Sequence, residues 1–133
     1  MIDNWNRVLT NIKTAESGTC SNITSTNSDS PPGLPALLVD QIDNPDVAED
    51  LENSENAVES TIEIQSYSNK NLTESRKIIN VACDAMRQMG YRRRMGPKQV
   101  ANAGNSRIYR MVARFTRVIG SGEEIKKFEN KQQ

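Results

Sequence analysis

Between residues 87 and 117 lie nine basic side chains and no acidic one: Arg87, Arg92, Arg93, Arg94, Lys98, Arg107, Arg110, Arg114 and Arg117. All but one are arginine, whose planar fork can meet a carboxylate or phosphate with two parallel hydrogen bonds. An ordinary solvated helix face interleaves acids with its bases for i, i+4 pairing. Their absence here points to an anionic ligand. Arg92, Arg93, Arg94, Lys98, Arg107, Arg110, Arg114 and Arg117 form the candidate polyanion-binding set. Nucleic acid, bare or coated with protein, would supply such a ligand. An internal alternative is the chain's own acidic stretch folding back over the basic face.

Presenting these groups requires a scaffold, and the helical period supplies one. On a helical wheel Ile108, Met111, Val112, Phe115, Val118 and Ile119 fall within roughly 120°, with Arg107, Arg110, Arg114 and Arg117 within roughly 80° on the flank. Ser106 would cap this helix, and Gly120-Ser121-Gly122 would end it. Upstream, Asn71 with Glu74 three residues on is an N-terminal capping pattern, and Ile79, Ala82, Cys83, Met86 and Met89 supply an apolar stripe up to Gly90. Pro97 suits the first position of a short helix through Val100 and Ala101 that stops near Gly104. The expectation is a small all-α domain of about three helices over 71–120. A polar tail, 121–133, follows, with a capping box at Ser121 and Glu124 before a last turn around Ile125 and Phe128. The turn Ala103-Gly104-Asn105 between two helices also suggests a helix-turn-helix DNA-binding regulator with an acidic interaction tail, although it is one residue short before the glycine.

The first half of the chain is the electrostatic opposite. Residues 1–69 carry 12 acidic and 2 basic side chains, a net of −10; residues 70–133 carry 15 basic and 5 acidic, a net of +10. Nine of the acids fall from Asp40 to Glu63 with no base among them. A Ser/Thr/Asn-rich tract from Ser17 to Ser30 and the stiff break Pro31-Pro32-Gly33-Leu34-Pro35 precede them. Ordering such backbone costs roughly 1–2 kcal/mol per residue, and these residues bury too little to repay it. Residues 17–70 therefore read as a disordered acidic linker, with at most a helical turn at Ala36–Ile42. Ser60, with Glu63 three residues on, is a candidate site for an acidophilic kinase. Ahead of the linker, Trp5, Val8, Leu9 and Ile12 lie at i, i+3, i+4 and i+7, the stripe of a short helix over 1–16. Packing on its own domain is the plain alternative, but the Ser/Thr/Asn linker detaches this helix, so it reads as a partner-binding helix that forms in a partner's groove.

Catalysis is not expected. The chain has no histidine, which removes Ser-His-Asp and Cys-His pairs and every zinc site that needs His. No glycine-rich loop leads into Gly-Lys-Ser/Thr, so no phosphate loop and no cofactor is anticipated. Cys20 and Cys83 share no metal or redox spacing, and Met1–Thr10 is polar, without the shape of a signal peptide. The longest apolar run, Ala36-Leu37-Leu38-Val39, is far too short for a bilayer. Reduced thiols in the cytoplasm and no membrane association are the expectation.

Two short stretches carry a likeness. Asp3-Asn4-Trp5-Asn6-Arg7-Val8 with Ile12-Lys13-Thr14, and Arg94-Met95-Gly96-Pro97-Lys98-Gln99 with Gly104, resemble the two ends of vesiculovirus-type rhabdovirus phosphoproteins. The order of helix, acidic region and small basic domain is similar as well. The resemblance implies a non-catalytic polymerase cofactor in the host cytoplasm. Trp5, Arg7, Val8 and Ile12 would engage nucleoprotein and act as a chaperone for it. Arg94, Lys98, Arg107 and Arg110 would face the nucleoprotein–RNA template, and the middle would contact the polymerase subunit. The chain is much shorter than the usual member and shows no central oligomerisation domain between Glu63 and Asn71.

Overall fold

From Val58 to Ile64, apolar Val58, Ile62 and Ile64 occupy one parity and Glu59, Thr61 and Glu63 the other. Successive residues of a strand face opposite sides of its sheet, and this alternation lies within a 14-residue strand, β4 (Glu55–Ser68). A computed structural model of the chain describes residues 5–20, 22–24, 34–43, 46–49, 55–100 and 107–120. Their order is α1 (Trp5–Ala15), β1 (Ile23–Thr24), β2 (Ala36–Asp43), β3 (Asp46–Glu49), β4, α2 (Leu72–Gln88), β5 (Arg92–Val100) and β6 (Tyr109–Gly120).

The strands make one sheet in the order β1-β2-β4-β6-β5, and β3 pairs with β4. Only β1 and β2 run parallel; the other pairs are antiparallel. The central pair is β4 with β6, in unbroken register from Ala57 opposite Gly120 to Ser68 opposite Tyr109. Both helices pack on one face. Leu37, Val39, Ile62, Ile64, Met111, Ala113 and Phe115 meet Ile78, Ile79, Ala82 and Met86 of α2 in the main core, which also takes in Val8 and Ile12 of α1. Burying each large aliphatic or aromatic side chain contributes about 1.5–3 kcal/mol. A smaller cluster of Ala36, Leu38 and Tyr67, with Leu34 and Ile108 against it, lies on the opposite side.

The helix expected from Asn71 forms as α2: the Asn71 side chain accepts a 2.7 Å hydrogen bond from the Glu74 N–H. Its other end closes at Gly90 (φ 83°), where Gly90 and Tyr91 donate backbone N–H bonds to the carbonyls of Arg87 and Met86.

The rest of the expected fold is overturned. The basic region is not an all-α three-helix domain, because 92–100 and 109–120 are strands. Met111, Phe115 and Ile119 are four apart, so they share a face in a helix and in a strand alike. The β-branched Val112, Thr116, Val118 and Ile119 favour the strand, and β4 supplies it with a partner along its whole length. Pro97 starts no helix. It sits in a strand paired on one side only, at a register shift between Met95 and Lys98, where a missing N–H is tolerated. Gly96 precedes it with φ 68°, and a Cβ there would run into the Val112 carbonyl oxygen.

Nor is the acidic half a disordered linker with a helical turn at 36–42. Its charged residues alternate with Val39, Val58, Ile62 and Ile64, which bury on the sheet. Asp40, Glu59 and Glu63, the acids of this stretch whose side chains are described, take the outward parity of their strands. Where a helix-turn-helix needs two helices, 97–100 belong to β5 and 109–119 to β6. The connecting turn at 101–106, the polar tail at 121–133 and half of the Ser/Thr/Asn tract (21 and 25–30) lie outside the described residues.

Candidate binding surface

The basic residues divide into two groups according to how the sheet treats them. Strand β6 delivers Arg110 and Arg114 to the face away from the helices, beside acceptors from β4. Arg114 Nε lies 2.7 Å from Glu63 Oε2, and Arg110 Nε donates to Gln65 Oε1 at 2.6 Å with its guanidinium 5.7 Å from the Tyr67 ring centroid. Gln65 Nε2 donates to Glu63 Oε1 at 2.7 Å, and the Tyr67 hydroxyl donates to Gln65 Oε1 at 2.9 Å. The result is a continuous ladder, Arg110–Gln65–Glu63–Arg114, that joins the acidic half of the chain to the basic half. Of the acidic stretch considered from the sequence as an internal partner, Glu63 alone is seen in an ion pair with this set among the described residues.

Arg117 belongs to the other face. It donates to the carbonyl of Met89 just after α2 and stacks under Gly90, so it fastens β6 to the helix end. Arg107 is exposed in the turn before β6.

Strand β5 behaves differently. Arg92, Arg93, Arg94 and Lys98 are all exposed, and no hydrogen bond or ion pair from a described residue holds any of them. Arg92 stands opposite Thr116 and Lys98 opposite Val112 in the register. Arg92 and Arg94 line one depression together with Glu59, and a separate groove of about 380 Å³ lies beside Lys98, lined by Met95, Lys98, Val100, Arg110, Val112 and Arg114 with Glu63 at its border. It offers an apolar floor and cations on its walls.

The N-terminal set is divided too. Val8 and Ile12 are buried in the main core, Trp5 is half-buried against it, and only Arg7 is exposed. The apolar stripe of α1 packs on the domain itself and is not left open for a partner's groove, the use expected from the sequence. Ser60 is 3% exposed and accepts a 2.8 Å bond from the Tyr91 hydroxyl. A kinase cannot reach it in the folded chain. Burial raises the Tyr91 pKa, partly offset by that bond.

One buried group escaped the sequence reading. Glu16, in the turn after α1, is fully buried with neither carboxylate oxygen bonded, and burial pushes its pKa up to about 8. Cys20 and Cys83 are both free and buried. Burial is the leading cause that raises each thiol, Cys83 to about 11. Such thiols are poor nucleophiles and poor metal ligands, and no metal-binding cluster of His, Cys, Asp or Glu occurs among the described residues. No helix among the described residues is long and apolar enough to cross a membrane. Compared with protein-family models the chain matches none, and no curated protein matches it either.

Proposed function

We propose that the chain is a non-catalytic adaptor that binds a polyanion, nucleic acid bare or protein-coated, through strand β5. The observation that carries this reading is the exposed run Arg92-Arg93-Arg94 with Lys98, which the rest of the described chain leaves unneutralised. Arg110 and Arg114 border the same surface, but they are already held by Gln65 and Glu63, so they add less to a new contact. The class of function is the one expected from the sequence, and the contact surface moves from a helix face to a sheet edge. In the phosphoprotein-like version the docking group on the template is β5. The α1 contribution is then restricted to Arg7 and the exposed side of its helix, because Val8 and Ile12 face the core.

The test is the salt dependence of binding to a single-stranded RNA 20-mer. Each phosphate contact contributes about 0.7 to the log–log slope. The triple variant Arg92→Ala, Arg93→Ala, Arg94→Ala should lower the slope by about 2 units, with the far-ultraviolet circular dichroism unchanged. Equal slopes for both proteins would refute the reading, and so would a wild type that binds neither the bare RNA nor a protein-coated RNA.

A further inference from the structure

The opposite charges of the two halves of the sequence come to lie on opposite borders of a single sheet. At one border β5 is paired on one side only among the described residues, by β6, and its sequence holds Arg92, Arg93, Arg94 and Lys98 with no acid. At the other border β1 covers β2 only at Leu37 and Leu38. The rest of β2 and the whole of β3 have no further strand beside them among the described residues. This border holds Asp40 and Asp43 in β2 and Asp46 and Glu49 in β3, with no base. Three strand spacings of about 4.8 Å separate β2 from β5, about 14 Å in all, which exceeds the Debye length of about 8 Å at physiological salt. The two borders therefore do not neutralise one another within one molecule.

We infer that a second copy of this chain docks on β5, the basic border of one sheet pairing with the acidic border of the next. It rests on the reading of β5 as a docking edge, and it names a partner other than a polyanion. An edge strand presents a row of unpaired N–H and C=O groups, and charged side chains normally guard such edges against pairing. A guard of one sign on both borders would keep copies apart. Guards of opposite sign forbid β5 against β5 and β3 against β3, and they favour β5 against β3. The lengths agree: β3 has 4 residues, and the arginines of β5 precede the kink at Gly96-Pro97, where Pro97 has no N–H to offer. The joint uses a different surface on each copy, so every copy added still carries one unused border. Such a joint closes into a ring or propagates as a filament.

Sedimentation velocity on the full chain tests this, with three proteins besides the wild type. These are Arg92→Glu/Arg93→Glu/Arg94→Glu, Asp43→Lys/Asp46→Lys/Glu49→Lys, and the combination of all six. The wild type should self-associate at about 50 mM salt and dissociate towards about 500 mM. Each single-border variant should sediment as a monomer, and a 1:1 mixture of the two should associate, as should the combined variant. A wild type that is monomeric throughout, or single-border variants that assemble as the wild type does, would overturn the inference. So would a folded combined variant that stays monomeric. If the variants do not fold, the wild type decides alone: self-association that fails to weaken with salt overturns the inference. RNA binding is read in parallel. A wild type that binds RNA through β5 yet remains a monomer refutes this inference and leaves the polyanion reading standing.

Discussion

Replacing Glu16 by glutamine should remove most of the pH dependence of stability between pH 5 and pH 7. The carboxyl is fully buried and its oxygens have no partner among the described residues. Its pKa is held at about 8 against an ordinary value of 4.5. Between those two values the native state keeps a proton that the unfolded chain has released. Stability must then fall as pH rises, by about 1.4 kcal/mol per unit at most. The loss starts near the unfolded pKa and is complete above the folded one. Integrated from pH 5 to pH 7 it comes to about 2.5 kcal/mol, or roughly 10 °C in melting temperature for a chain of this size. The absence of histidine helps, because few other groups titrate in that interval. Glu16→Gln preserves the shape of the side chain and cannot ionise. Urea denaturation of both proteins at half-unit pH steps isolates the effect as the difference between two curves. The variant should be the more stable by about 2.5 kcal/mol at pH 7, relative to their difference at pH 5. Parallel curves would show that Glu16 is either solvated or paired, and would refute the argument from burial.

Gly96→Ala should cost on the order of 1–3 kcal/mol in urea denaturation, because the residue has φ 68° and abuts the Val112 carbonyl; an unchanged midpoint would mean that β5 can shift. The Ser60→Ala and Tyr91→Phe pair should show a coupling of about 1 kcal/mol in a double-mutant cycle, and an acidophilic kinase should label Ser60 only after denaturation. Removing the partly exposed Arg114–Glu63 pair should change stability by less than about 1 kcal/mol, so a larger loss would mean that the ladder through Gln65 acts as a unit. Because RNA and a second copy would both occupy β5, adding RNA should shift associated material towards smaller species in sedimentation; simultaneous binding without dissociation would place the two ligands on different surfaces.

The two helices are legible in the sequence because each carries a local signal. Asn71 and Glu74 form a capping pattern, and the Trp5–Ile12 stripe has no competing period. The strands are harder to read for two separate reasons. In β6 the spacing of Met111, Phe115 and Ile119 satisfies both periods, and only the pairing with β4, some 50 residues earlier in sequence, removes the ambiguity. In β4 the alternation Val58-Glu59-Ser60-Thr61-Ile62-Glu63-Ile64 is plain, but average composition hides it, since a strand half-buried on one face carries its acids on the other. The basic set was found by residue type alone. What composition cannot show is the division within it: Arg110, Arg114 and Arg117 are spent on Gln65, Glu63 and Met89, while no described residue holds Arg92, Arg93 or Arg94. Nothing local marks Glu16 as buried, because its enclosure comes from elements far away in sequence.

The interleaving of β4 between β2 and β6 also makes the molecule divisible. A nick in the exposed Asn69–Lys70 link would yield two polypeptides of charge −10 and +10, and each would hold strands whose neighbours reside in the other. Neither fragment could complete the sheet by itself, and their mutual attraction would speed their encounter. Mixed in low salt, they should reconstitute the parent domain, which would make the chain a split reporter switched on by reunion.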